Sequence, residues 1–414
     1  MSKLIVFSCA LAGVLSVQAV GPRINADTVK LTQASSREVS VEYKLADAPA
    51  VVTVDIQTNA GNNVWISLGA AVVKSLSGDV NKVVQPGECK ILWDARADMP
   101  PIKLVGMDVA RAVVTAWSLQ SPPDYMVIDL SQDVSKDATA DNVRYYTSVD
   151  ALPDGGLAND VYRTTKLVMR RIPAAGATYR MGSPVGEYNR SANEVPHLVE
   201  LTKDYYMAIY ETTASQAWTV LAINPGQKSM VPAGGSSFNA WRGPAAEGYD
   251  WPKNGHTVKS TSIVGNFRAR TGFATFDLPT EAQWEFACRA GTETGWPTGY
   301  NASDAAALKK FAVIWSTASG SMLAVGSLDP NRWGLYDMIG NAGEYCLDWY
   351  GAYDATDTLD PKGPASGTDR VRRGTYAQDG TFGNFSSAKR GTWAPGTSYT
   401  HFGCRLICDA VAVR

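Results

Sequence analysis

The stretch Asp277-Leu-Pro-Thr-Glu-Ala-Gln-Trp-Glu-Phe-Ala-Cys-Arg-Ala-Gly291 reads as a complete helix with its start and stop signals. Thr280 and Gln283 have capping-box spacing: the hydroxyl accepts the amide three residues on, and the Gln side chain returns to the Thr amide. An apolar stripe of Trp284, Phe286 and Ala287 follows, and Gly291 is the expected stop. Glu281 and Glu285 lie one turn apart and could form a carboxylate pair. Glu281 also complements the helix dipole in the first turn, which needs no catalytic role. The same box recurs at Thr213 and Gln216, before Ala217, Trp218 and Leu221, with Pro225 as its stop.

Outward from this helix lie further phrases: Gly334-Leu-Tyr-Asp-Met-Ile-Gly-Asn-Ala-Gly-Glu-Tyr345, Arg370-Val-Arg-Arg-Gly374 and Phe402-Gly-Cys-Arg-Leu406 downstream. Upstream are Met169-Arg-Arg-Ile-Pro-Ala-Ala-Gly-Ala-Thr-Tyr-Arg-Met-Gly-Ser183 and Glu194-Val-Pro-His-Leu-Val-Glu-Leu201. In order and spacing they resemble the formylglycine-generating enzyme, or sulfatase-modifying factor, family over residues about 166–411. The resemblance implies an α+β fold of the C-type-lectin-like kind. It also implies a structural calcium ion, with side-chain oxygens from Asp337 and Glu344 and backbone carbonyls from Gly340 and Ala342. A hard cation that takes about six to eight oxygens suits a tight Gly-containing turn flanked by carboxylates.

Two departures from the family pattern matter. Its catalytic members carry a cysteine pair just after the Arg-Val-x-Arg-Gly phrase, and the matching places here fall near Ala377 and Phe382. No cysteine lies between Cys346 and Cys404. Cu(I) prefers soft sulfur, and no aromatic or oxygen side chain replaces a thiolate pair, so copper is not expected. Asp277 stands where the family usually has arginine, which is expected to remove a buried salt bridge.

In active relatives the region matching 376–401 forms the substrate groove. Tyr376, Phe385, Trp393, Tyr399 and His401 are therefore the expected ligand-binding residues, facing a protein or a glycan. Together these readings imply a binding or structural module that has lost the family's oxidation. The rival is an oxidoreductase of the same family working without the cysteine pair. An iron oxidase would need a His/carboxylate facial set, which His197, His256 and His401 scarcely provide.

The rest of the chain bounds these readings. Of 414 residues, 45% are apolar and 19% charged, enough for two or three cores. A formal net charge of -2, from 38 basic and 40 acidic residues, gives no reason to expect nucleic acid or an anionic membrane surface. Residues 1–19 read as a signal peptide: Lys3, a short apolar run, then Val17-Gln-Ala19. The run is too short for an integral membrane span, and the expected location is secreted or periplasmic.

Residues 20–120 alternate apolar and polar positions in short stretches such as Val39-Ser-Val-Glu-Tyr43 and Val51-Val-Thr-Val-Asp-Ile56. This predicts a small all-β sandwich, similar to Ig-like modules found beside bacterial exported domains. Residues 121–165 read as a linker with one strand at 125–130, and residues 166–414 as the second domain. After export, Cys89, Cys288, Cys346, Cys404 and Cys408 could oxidise or remain buried thiols. Cys288 and Cys346 are each expected to meet Cys404 or Cys408, with Cys89 left over.

Overall fold

The computed structural model of the protein describes residues 21–34, 37–99, 109–136, 142–299 and 305–410. The expected leader and Cys9 lie outside the described residues. The chain builds a mixed α/β structure, mostly sheet with few helices.

The N-terminal strands are β1 (Arg23–Ile24), β2 (Lys30–Gln33), β3 (Glu38–Ala46), β4 (Ala50–Asn59), β5 (Trp65–Ser67), β6 (Leu76–Gly78), β7 (Val83–Val84), β8 (Gly87–Asp94) and β9 (Ala110–Ser118). One sheet runs β1-β3-β8-β6 with β2 on β3, and the other runs β5-β4-β7 with β9 on β4. The alternation of β3 explains its place. Val39, Val41, Tyr43 and Leu45 are buried, and Val39 and Val41 pair across to Trp93 and Ile91 of β8. These residues share one core with Val52 and Ile56 of β4, so both sheets close over the same apolar layer.

The second unit starts earlier than its sequence suggests. Strands β10 (Tyr125–Asp129), β11 (Val143–Tyr146), β12 (Lys166–Ile172), β13 (Ala177–Met181), β14 (His197–Leu201) and β15 (Tyr205–Ala208) are followed by β16 (Gly343–Trp349), β17 (Arg370–Arg373), β18 (Gly391–Trp393), β19 (Phe402–Gly403) and β20 (Ile407–Asp409). The central sheet is ordered β11-β10-β12-β15-β20. The segment read as a linker thus supplies two of its five strands, and Met126 and Ile128 of β10 are fully buried. Its polar stretch misleads because the apolar runs on either side are short. A hairpin, β13-β14, and a sheet β18-β17-β16-β19 complete the unit, with β19 parallel to β16.

Among the described residues the helices of five residues or more are α1 (Ala214–Val220), α2 (Phe238–Arg242), α3 (Ile263–Thr271) and α4 (Glu281–Arg289). Both expected capping boxes form: Thr213 and Gln216 start α1, and Thr280 and Gln283 start α4. Helix α4 stops one residue before the expected glycine. Ala290 adopts the left-handed conformation at φ 46 and its amide reaches the Phe286 carbonyl. No helix among the described residues is long and apolar enough to cross a membrane.

The expected disulfides do not form. Cys89, Cys288, Cys346, Cys404 and Cys408 are all free and buried. Cys288 Sγ faces the Met338 carbonyl, Cys404 Sγ faces Thr212 Oγ1 at 3.9 Å, and Cys408 Sγ faces Met169 Sδ at 3.9 Å. Each thiol fills its own niche, as small apolar side chains do.

Candidate functional site

Eight of the nine residues of α4 are buried, including Glu281, Glu285 and Arg289. A buried charge must be paired, and here each one is. Arg390 holds Glu281 through two hydrogen bonds of 2.7 and 2.8 Å. Glu285 is bonded to Arg289 at 2.8 Å and to Arg373. Burial would raise Glu285, yet Arg373 and Arg289 hold its carboxyl below the usual range. Arg373 also lies 3.7 Å from Glu281, so the two glutamates belong to one ion-pair network that locks α4 onto β17 and the segment before β18.

Asp277 shows the opposite of what its sequence suggests. It is fully buried and pairs with Arg242 Nε at 2.9 Å, with His256 Nδ1 also at 2.9 Å. Burial alone would raise it; Arg242 overcomes that and keeps the carboxyl below its ordinary value. The salt bridge is present with its polarity supplied by a different partner.

The turn expected to hold calcium sits between β15 and β16. Gly340 takes φ 93, and a Cβ there would collide with the Val313 carbonyl, so only glycine fits. Asp337 is 2% exposed; its Oδ2 accepts the Gly326 amide at 2.7 Å, and its Oδ1 is buried without a partner. Burial pushes its carboxyl up to about 6. Glu344 accepts from Trp284 Nε1 at 2.7 Å and from Arg405 at 2.9 Å. Glu211, absent from the sequence reading, joins them and accepts the Ala342 amide at 2.7 Å and Asn341 Nδ2 at 2.6 Å. Burial, then the charges of Asp337 and Glu344, raise Glu211 well above the usual range. Of the three buried carboxyls, Glu344 is the one ion-paired with Arg405 among the described residues, and the Arg405 charge also acts on Glu211 and Asp337.

Four of the five expected ligand-binding residues come together. The ring centroids of Tyr376 and Tyr399 are 5.7 Å apart, those of Trp393 and Tyr399 5.3 Å, and those of Tyr399 and His401 5.6 Å. All four are partly buried, and Phe402 underlies them, 4.7 Å from Tyr399 and 4.8 Å from Trp393. Backbone contacts hold this segment. Gly235 donates to the Tyr399 carbonyl at 3.0 Å and Gly343 to the His401 carbonyl at 2.9 Å, while a side chain at Gly234 would collide with the Thr400 carbonyl. Phe385 is not part of the cluster. It is 1% exposed in the core, and its carbonyl accepts from Trp296 Nε1.

Arg372, within the quoted Arg-Val-Arg-Arg-Gly phrase, lies over the same rings. Its guanidinium is 5.1 Å from the Tyr376 centroid and 4.9 Å from that of Phe402. Its neighbours on β17 have carboxylates: Arg370 pairs with Asp250 at 3.0 Å and Arg373 with Glu285. Arg372 makes no salt bridge among the described residues, although the charge of Asp379 acts on it, and its Nε is buried without a partner. Burial lowers its pKa from the ordinary arginine value. The run of three arginines in the phrase Arg370-Val-Arg-Arg373 is the sequence signal for this residue.

Residues 163–410 match the Sulfatase-modifying factor enzyme 1-like domain, and the chain belongs to that family. Among relatives, the formylglycine-generating enzyme of Bos taurus is 34% identical over 146 residues, covering 32% of this chain and 38% of that protein. The formylglycine-generating enzyme of Thermomonospora curvata is 30% identical over 207 residues, covering 45% of this chain and 66% of that protein. The chain therefore spans less than two thirds of the length of these relatives. The serine/threonine-protein kinase pkn1 of Chlamydia pneumoniae is 42% identical over 103 residues, which are 23% of this chain and 15% of that protein. Among solved structures, Treponema denticola variable protein 1 is 25% identical with a TM-score of 0.46, covering 59% of this chain and 96% of that one. PvdO from Pseudomonas aeruginosa is 20% identical with a TM-score of 0.48, covering 59% and 94%.

Proposed function

We propose that the family domain is a binding module for an acidic carbohydrate, and that it does not perform the oxidation implied by the relatives' name. The observation that carries this reading is Arg372: a guanidinium that makes no salt bridge among the described residues, laid across an aromatic face. Flat rings suit the faces of pyranose sugars, and a free guanidinium forms paired hydrogen bonds with a carboxylate or sulfate. The positions matched to the catalytic cysteines support the loss of oxidation, since Ala377 is buried and Phe382 packs against Trp296 at 5.8 Å.

The remaining expectations belong to the same proposal. We read the domain as C-type-lectin-like, the N-terminal sheets as an Ig-like spacer, and the chain as exported. Calcium fits the turn at 337–344 because Asp337 and Glu211 form no salt bridge among the described residues and Asp337 keeps an oxygen without a partner. Among the described residues no three His, Cys, Asp or Glu side chains converge as a metal cage. In this reading the Gly340 and Ala342 carbonyls supply part of the ligands. The ion would neutralise the turn and take no part in chemistry.

The test is a panel of uronic-acid and sulfated polysaccharides beside neutral ones. The acidic polymers are expected to bind, and Arg372→Gln or Trp393→Ala to weaken binding at least tenfold with an unchanged melting curve. Equal binding of neutral polymers, or formation of an aldehyde on a cysteine peptide supplied with copper and oxygen, would overturn the reading.

A further inference from the structure

Between β14, the start of α4, the end of β16 and the loop 351–365 lies a cavity of about 380 Å³. Its floor is Asp348, 3% exposed. Asp348 Oδ2 accepts the Glu281 amide at 2.7 Å, and no other residue among those described donates to Oδ1. Gly363, at φ 69, lies over this carboxyl, where a Cβ would stand 3.1 Å from Oδ1. Asp348 lines the cavity, and the missing side chain at 363 leaves room above its carboxyl.

The charges of the lining do not balance. Arg390 is spent on Glu281, which also accepts from the Tyr353 hydroxyl at 3.2 Å. Asp348 in the floor and Asp354 and Asp357 in the lining form no salt bridge among the described residues. His197 stacks on Tyr353 with centroids 4.5 Å apart, and its Nδ1 meets the Val195 carbonyl at 2.9 Å. In the neutral ring that donates from Nδ1, Nε2 is an acceptor. The lining thus offers acceptors and negative charge but no metal cage among the described residues, and its volume suits a small organic molecule.

We propose that this cavity binds a small organic amine through its primary ammonium group, with Asp348 as counter-ion and the His197 and Tyr353 rings as a wall. The site is separate from the aromatic face and does not depend on the carbohydrate reading. Burial, then the charge of Glu281, pushes the Asp348 carboxyl up to about 7. A bound ammonium favours its ionised form, so binding near pH 6 should expel a proton and tighten toward pH 8. The other charged or titratable groups around Asp348 are Glu281 on α4, Arg390 before β18, Arg370 on β17, Cys346 on β16, and Tyr353 and His197. Asp348→Asn isolates the contribution of the Asp348 carboxyl.

Calorimetry on the full chain with glucosamine, spermidine and Nα-acetyl-lysinamide, with N-acetylglucosamine as the uncharged control, tests the proposal. At least one of the three amines is expected to bind at least tenfold more tightly than the control, with proton release at pH 6. Asp348→Asn should lose at least tenfold in affinity and the proton release. Ala365→Trp, at the exposed rim, should block binding without altering the melt, and it serves if Asp348→Asn fails to fold. No amine binding at millimolar concentration, equal binding of N-acetylglucosamine, or unchanged affinity in a folded Asp348→Asn protein would each overturn it.

Discussion

Asp348 and Asp277 are both buried carboxylic acids, and the presence of a guanidinium separates their behaviour. Asp277 has Arg242; Asp348 has an amide and the charge of Glu281 nearby. The folded state keeps the Asp348 proton up to about pH 7, whereas the unfolded chain releases it near 3.8. Between those values the unfolded state binds fewer protons, so this group lowers stability as pH rises and the loss is complete above 7. Asp348→Asn is expected to gain on the order of 1–3 kcal/mol over the wild type at pH 8, with the difference vanishing near pH 4. Urea denaturation at both values checks this, and a gap of equal size at both would refute it. Asp277 has the opposite sign: its folded carboxyl is held low, so its contribution is present above the unfolded value and lost as pH falls. Asp277→Asn should cost about 3–5 kcal/mol at pH 7, because Arg242 is left buried without its counter-charge. A loss below about 1 kcal/mol would mean that Arg242 finds other acceptors.

At the scale of elements, α4 and the turn before β16 are where local chemistry and burial meet. The capping boxes are set by residues three apart, so they could be read directly, and the structure keeps both. The stop of α4 could not be read so closely. Ala290 takes a conformation that usually favours glycine, and the Gly291 beside it is also left-handed at φ 81. For the turn, calcium is expected to raise Tm and a chelator to lower it. A ligand bound only to the folded state adds about 2.7 kcal/mol at a hundredfold excess over Kd. Asp337→Ala should abolish the calcium response, as read by thermal melts with calcium and with chelator. An unmoved wild-type Tm in chelator would remove calcium from the account.

At the scale of the molecule, the segment 121–165 is part of the family domain's sheet. β10 lies between β11 and β12, with Met126 opposite Met169 and Ile128 opposite Leu167. Val51, Val83, Trp117 and Leu119 from the N-terminal unit pack on the core that includes β10, and Arg144 Nη2 donates to the Lys74 carbonyl at 2.7 Å. A chain beginning at Lys166 would expose β12 as a bare edge and leave its buried face uncovered. That chain is expected to aggregate, whereas one beginning at Ser121 should melt cooperatively. Cooperative melting of the shorter chain would show β10 and β11 to be dispensable.

Much of this architecture is written in local patterns. The alternation in β3 and the two capping boxes depend on neighbours in the chain, and the family phrases fall in one order along it. Tertiary packing decided the rest, because pairing is a matter of which groups meet across long separations. Arg242 reaches Asp277, Glu211 reaches the turn at 341–342, and Phe385 turns into the core while Tyr376 and Trp393 do not. The cysteines stay apart for the same reason, each enclosed by different strands. Arg372 and Asp348 stand out only once every neighbouring charge has found its partner, and no stretch of sequence contains that information.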